Sequence, residues 1–188
     1  MRDAVPDSAG AVLLTIARAS IARALGRDVD PPSSDAPWAL DPGASFVTLT
    51  AAGLLRGCIG SLEARRPLLD DVRVNAVAAA TRDPRFPPVS SSELDGLAIE
   101  VSVLSDPEPV PASSLSEAYT ALRPGVDGVI VESGPWHRAT FLPQVWDDLR
   151  DPATFLRHLW LKAGLTPSKW SGDTALQRYT VRAWSEDR

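Results

Sequence analysis

The chain has 188 residues, with 19 Lys and Arg against 24 Asp and Glu, a formal net charge of −5, and 44% hydrophobic residues. That apolar share suits a globular domain and excludes wholesale disorder. The acidic balance lacks the Lys and Arg excess that neutralises nucleic-acid phosphates, and a single cysteine, Cys58, excludes an intramolecular disulfide and a cysteine-based zinc cluster.

The first residues, Met1 to Asp7, carry acid and proline where a secretory leader needs a basic stretch followed by an apolar one. The most apolar runs, Ala11 to Ile16 and Val72 to Ala80, fall well short of the ~18 apolar residues of a membrane helix. These features predict a soluble, cytoplasmic chain without a membrane or nucleic-acid partner. No repeat of 20–50 residues is visible, which argues against a solenoid.

Leu14, Ala17, Ile21 and Ala24 recur at helical spacing, so residues 8–25 read as a helix capped by Ser8 and stopped by Gly26. Four prolines and Gly43 make residues 30–43 a loop, which Trp38 pins to the core. Ser45 to Thr50 and Leu54 to Gly60 form a hairpin across Ala51-Ala52-Gly53. Pro67 opens a helix to about Thr81, whose stripe of Leu69, Val72, Ala76, Ala79 and Ala80 suits close packing on a sheet. Asp83-Pro84-Arg85-Phe86-Pro87-Pro88 stops that helix and forms a stiff loop, with three prolines in six residues.

Leu97, Ile99, Val101 and Val103 alternate with Ala98, Glu100 and Ser102, the clearest strand of the chain. Residues 105–112 are an extended, proline-rich connection. Ser114 and Glu117 have capping-box spacing for a short helix to about Leu122. Gly128 to Val131 and Ala139 to Leu142 read as a second hairpin around Ser133-Gly134-Pro135. Asp151-Pro152 starts a helix carrying Phe155, Leu156 and Leu159, which Gly164-Leu165 ends in a Schellman turn. Gln177 to Trp184 alternates as one closing strand, with Tyr179, Val181 and Ala183 on one face. Strands joined both by hairpins and by helices predict an α+β fold with a largely antiparallel or mixed sheet flanked by helices. It is read as a single domain over 1–188, or as two lobes joined near 105–112.

The richest chemistry lies in Leu55-Arg56-Gly57-Cys58-Ile59-Gly60. On a regular strand Arg56 and Cys58 leave the same face, and a guanidinium within about 4–6 Å of a thiol favours the nucleophilic thiolate. Gly57 and Gly60 clear side chains beside the cysteine, as where a ligand or another backbone approaches. The alternative is a small packing residue in a glycine-containing strand. In the proline-rich loop, Arg85 is placed for bidentate binding of a carboxylate or phosphate, or else for a structural pair with Asp83. Glu100 either faces solvent or, if covered, needs a positive partner such as Arg56 or Arg85. His137 and His158 form no triad or metal set. No zincin, P-loop or dinucleotide-binding motif is present, so no metal and no cofactor is expected.

The ordered blocks Phe46-Val47-Thr48-Leu49, Leu55 to Gly60, Asp83 to Pro88, Ile99 to Ser105, Thr140-Phe141-Leu142-Pro143-Gln144-Val145 and Lys162-Ala163-Gly164-Leu165 resemble the AMMECR family, whose bacterial and archaeal members are called AmmeMemoRadiSam system protein A. The blocks span about residues 46 to 170. Ala139 stands where a glycine is expected in many relatives. The resemblance implies a larger and a smaller lobe, with the Arg-Gly-Cys-Ile-Gly block lining a cleft beside the Asp83 to Pro88 loop. It also implies association with a Memo-like protein and a radical-SAM protein, and it carries the site onto Arg56, Gly57, Cys58, Gly60, Asp83, Arg85 and Glu100.

The residues and the resemblance together leave two functional readings. In one, the chain is an enzyme with Cys58 as nucleophile. Glu100 orients an arginine or moves a proton, and Arg56, Gly57, Gly60, Asp83 and Arg85 bind a small anionic substrate. In the other, it is a non-catalytic small-molecule-binding or scaffold subunit working with the Memo-like and radical-SAM proteins. The missing general base near Cys58 favours the second.

Overall fold

The computed structural model describes residues 5–167 and 169–186; Met1 to Ala4, the start of the stretch read for a leader, lie outside them. In chain order the elements are α1 (Ala9–Ala24), α2 (Pro37–Leu40), β1 (Pro42–Ala51), β2 (Leu54–Gly60), β3 (Arg66–Pro67), α3 (Leu68–Thr81), β4 (Leu97–Leu104), β5 (Glu108–Pro109), α4 (Leu115–Ala121), β6 (Gly128–Ser133), β7 (His137–Phe141), α5 (Pro152–Lys162), β8 (Thr174–Tyr179) and β9 (Val181–Ser185). Short 3₁₀ turns at Leu94–Gly96 and Pro143–Asp147 complete the set. No helix among the described residues is long and apolar enough to cross a membrane. The chain divides into two compact units: Met1–Leu104 with Arg182–Arg188, and Ser105–Val181. The fold is α+β with antiparallel sheets.

In the first unit the strand order is β2-β1-β4-β9, with β3 paired to the start of β1. Val47, Leu49, Ile99, Val101 and Val103 project from one face of this sheet into a core with Leu13, Ile16 and Ile21 of α1 and Leu69, Val72, Ala76, Ala79 and Ala80 of α3. The alanine stripe of α3 works as its spacing predicts. A Cβ on Gly57 would lie 2.3 Å from the Ala79 carbonyl oxygen, so β2 and α3 meet backbone to backbone. The stripe of α1 is rotated from expectation: Leu13, Ile16, Ala17, Ser20 and Ile21 are buried, while Ala24 is exposed. Ser8 stands at its N-cap but makes no side-chain cap bond. Gly26, at φ 84°, closes α1 with the Arg27 N–H donating to Ala22 O at 3.0 Å, a Schellman stop.

The first hairpin turns through Ala52 (φ 49°) and Gly53 (φ 77°), the two positive-φ residues of a type I′ turn. Its register begins at Ala51 opposite Leu54, then slips by one residue between Leu49 and Thr50, leaving Arg56 as the extra residue of a bulge. Three boundaries also differ from expectation. The loop at 30–43 contains α2, β1 begins three residues early at Pro42, and Pro67 caps α3 without entering it.

In the second unit the order is β5-β8-β6-β7. Val129, Val131, Leu176, Phe155, Leu159 and Trp160 form its core, where Phe155 stacks on Trp146 at 3.7 Å between ring centroids. Ala139 is buried there opposite Val131. The caps of α5 are those the sequence predicts, with Thr154 N donating to Asp151 Oδ2 and Leu165 N to Trp160 O; at α4 half of the expected capping box forms, Glu117 N donating to Ser114 Oγ while the Glu117 carboxylate takes the Ser113 N–H.

The closing strand expected at 177–184 is two strands. Thr180 breaks it, exchanging bonds with Ser105: Ser105 N donates to Thr180 O, and Thr180 N to Ser105 Oγ. Residues before the break pair with β6, and those after it join the first sheet beside β4.

Candidate functional site

The site is built on β2, an edge strand of the first sheet. Past the bulge Cys58 lies opposite Thr48, and Thr48 lies opposite Glu100 on β4. These side chains share the face away from the helices, where Thr48, Cys58 and Glu100 are each half-buried. The Thr48 hydroxyl donates to Cys58 Sγ at 3.3 Å. Glu100 accepts from Ser185 Oγ at 2.9 Å and from Ser102 Oγ in a long 3.5 Å contact. Two strand spacings separate the Cys58 and Glu100 backbones, about 10 Å.

Being on an edge, Cys58 has a peptide N–H and C=O that no strand pairs. The loop after α3 satisfies both with side chains. Asp83 Oδ2 accepts the Cys58 N–H at 2.8 Å, and Arg85 Nη2 donates to Cys58 O at 3.2 Å. The two loop residues are joined to each other: Arg85 Nε donates to Asp83 Oδ1 at 2.9 Å and Nη2 to Oδ2 at 2.7 Å. Asp83 is buried, its side chain 2% exposed, whereas the Arg85 side chain is 52% exposed. Arg85's hydrogen bonds, above all, hold the Asp83 carboxyl well below the usual carboxylate range. The pKa of Arg85 is raised in turn, first by its bond to Asp83 and further by the negative charge of that carboxylate.

The other residues expected in the site do different work. Because the bulge interrupts alternation at Arg56, its guanidinium is not paired with the thiol. It donates to Glu93 Oε1 at 3.1 Å and to the carbonyl oxygens of Pro87 and Pro88, clasping the proline loop against β2. Glu93 also accepts the Ser90 N–H at 2.7 Å, and these bonds, Ser90's first, lower its pKa to about 2. Gly57 makes room for the α3 backbone, and Gly60 for the Phe46 ring, which a Cβ would meet at 2.2 Å. Both glycines are therefore accounted for by packing. The arginine partner expected for a covered Glu100 is replaced by the two serine hydroxyls. His137 and His158 both belong to the second unit; His137 Nδ1 lies 2.9 Å from Ala163 O. Among the described residues, no group of three His, Cys, Asp or Glu side chains is arranged to hold a metal ion.

Two members of this arrangement escape sequence reasoning. Thr48 is placed by register alone. An unbulged two-residue hairpin sets Gly57 opposite it, and only the one-residue slip brings Cys58 there. Glu93 follows three serines and carries no periodic signal. Arg85, Asp83 and Cys58 are the trio that the structure brings together.

The AMMECR1 family model matches residues 14–184 of this chain. A protein from Methanothermobacter thermautotrophicus is 45% identical over 144 residues, covering 76% of this chain and 74% of its own. A protein from Thermofilum pendens is 39% identical over 191 residues, covering 94% and 89%. The crystal structure of an uncharacterized protein from Pyrococcus horikoshii matches with a TM-score of 0.81 at 35% identity, over 97% of this chain and 94% of that one. The match runs through both units and includes Thr48, Cys58, Asp83, Arg85 and Glu100, and the chain belongs to the AMMECR1 family.

Proposed function

We propose that the chain is an enzyme acting on a small anionic substrate, with Cys58 as the nucleophile and Arg85 as the anion-binding group. One observation carries this reading: the half-exposed Arg85 guanidinium is anchored to the peptide of Cys58, whose thiol is itself half-buried. A nearby cation draws an anionic reactant to the sulfur. Thr48 supplies a hydroxyl that orients the sulfur. Glu100, two strands away and held by Ser185, reaches Cys58 only through an intervening group and serves as a polar wall of the site. Asp83 and Arg56 hold the loop in place.

Thermal-shift screening against small carboxylates and phosphates tests this. A ligand at about 100 times its dissociation constant stabilises by roughly 2.7 kcal/mol. That gain should vanish in Arg85→Ala, and the bound ligand should slow alkylation of Cys58. Stabilisation that survives Arg85→Ala contradicts the assignment.

A second reading is favoured by the absence of any histidine from the first unit among the described residues. Without a general base at the thiol, the chain would bind a small molecule without turnover and serve as a subunit for Memo-like and radical-SAM partners. Co-purification with those partners that is unaffected by Cys58→Ala supports it.

A further inference from the structure

Resting on the proposed thiol–guanidinium site, we infer that Asp83 is a positioning residue that closes the fork of Arg85 and leaves an incoming anion only one nitrogen, Nη1, to bind. Donors and acceptors decide it. A guanidinium carries five N–H groups, one on Nε and two on each Nη. Nε is used by Asp83 Oδ1, and the two hydrogens of Nη2 by Asp83 Oδ2 and Cys58 O. Two donors remain, both on Nη1, which donates to no nitrogen or oxygen of the described residues, the Cys58 side chain being the guanidinium's further neighbour.

A planar anion grips arginine bidentately either across Nε and Nη2 or across the two Nη nitrogens. Both grips need a hydrogen of Nη2, and both of those hydrogens are committed. The bidentate clamp expected from the sequence is therefore already formed, internally, with Asp83. Asp83 is equally saturated. Oδ1 accepts from Arg85 N and Nε, and Oδ2 from Cys58 N and Arg85 Nη2, which fills the roughly four acceptor positions of a carboxylate. It has no position left for substrate, so its part is to fix the angle between the guanidinium and the Cys58 peptide. The Phe86 ring, 5.5 Å from the Arg85 guanidinium carbon, backs one side of the group. The ligand this arrangement fits presents one terminal anionic oxygen to Nη1 and takes its remaining selectivity from groups nearer the sulfur.

The test uses the full chain labelled with ¹⁵N-arginine, the Arg85 Nε–H signal being assigned by its loss in Arg85→Lys. Inorganic phosphate and acetate are titrated in turn while iodoacetamide reports on Cys58. The expected result is an Nε–H signal that stays unmoved and slow to exchange as the anion protects Cys58. An Nε–H signal that shifts along the same saturation curve as protection overturns the inference while leaving the anion site standing. If neither anion protects Cys58 in an Arg85-dependent way, the site reading falls and takes the inference with it. In Asp83→Asn, where an amide oxygen can still accept the Cys58 N–H, Nε–H exchange should quicken at least about tenfold, the worth of one charge-assisted hydrogen bond. Unchanged exchange there contradicts the positioning role, and the titration of the unaltered chain decides the matter even if that variant unfolds.

Discussion

Two places in this molecule hold nearly the same ion pair. In the first unit Asp83, 2% exposed, is gripped by Arg85, 52% exposed; in the second, Asp127, 0% exposed, is gripped by Arg123, also 52% exposed. The second pair closes on itself. Arg123 gives its backbone N–H, Nε and Nη2 to Asp127, and the Trp146 indole caps the Asp127 carbonyl, so the assembly locks one tight turn. The first pair reaches beyond itself to both edges of the Cys58 peptide. The same chemistry locks a turn in one place and ties the loop after α3 to the Cys58 peptide in the other. A buried aspartate with an arginine is no sign of a site; the group that the pair holds decides its role.

The largest expected effect that separates these regions comes from their glycines. Gly57→Ala drives a methyl into the α3 backbone and should lower stability by about 1–3 kcal/mol. Gly125→Ala, in the turn of the second pair, meets open space and bears only the cost of φ +77°, about 1 kcal/mol. Urea midpoints measure both, and the reverse order would break the comparison. Next come the aspartates. Asp83→Asn and Asp127→Asn should each cost about 1–3 kcal/mol as buried acceptors weaken. Only the first should change the rate at which Cys58 is alkylated.

Acid sharpens the contrast further. Asp83 and Glu93 both have pKa values depressed in the folded chain, so the folded state binds fewer protons than the unfolded one through that range. Their contribution is fully present above the ordinary carboxylate range of about 4. It is lost as pH falls toward the folded values, about 2 for Glu93. Urea midpoints should therefore fall from pH 5 toward pH 3, less steeply in Asp83→Asn; an equal slope in that variant would contradict the assignment. The smallest effect belongs to Glu100→Gln. Held by serines and two strands from the sulfur, Glu100 should change the Cys58 alkylation rate by less than about twofold, the scale of a change away from the site.

Much of the fold is legible in the residues because local chemistry marks it. The I′ turn at Ala52-Gly53, the capped starts of α4 and α5, the Schellman ends at Gly26 and Gly164, and the alternation of β4 are each set within a few residues. The illegible part depends on long-range pairing. Residues 177–184 alternate without interruption, yet Thr180 leaves the pattern because Ser105, distant in sequence, takes its backbone bonds. The same holds in the site. Cys58 and Asp83-Pro84-Arg85 stand out by composition, whereas the bulge that turns Arg56 from the thiol to the proline carbonyls, and brings Thr48 to the sulfur, is a property of register.

The central claim, a fixed cation beside an accessible thiol, is tested most directly by charge selectivity at Cys58. The alkylation rate with anionic iodoacetate is divided by that with neutral iodoacetamide, in the unaltered chain, in Arg85→Ala and in Arg123→Ala. A unit charge about 6 Å from the reagent's carboxylate in water-like surroundings is worth roughly 0.7 kcal/mol, or about threefold. The ratio should drop by about that factor or more in Arg85→Ala and hold in Arg123→Ala. Equal ratios in all three proteins, or a thiol that reacts only after unfolding, would contradict the claim.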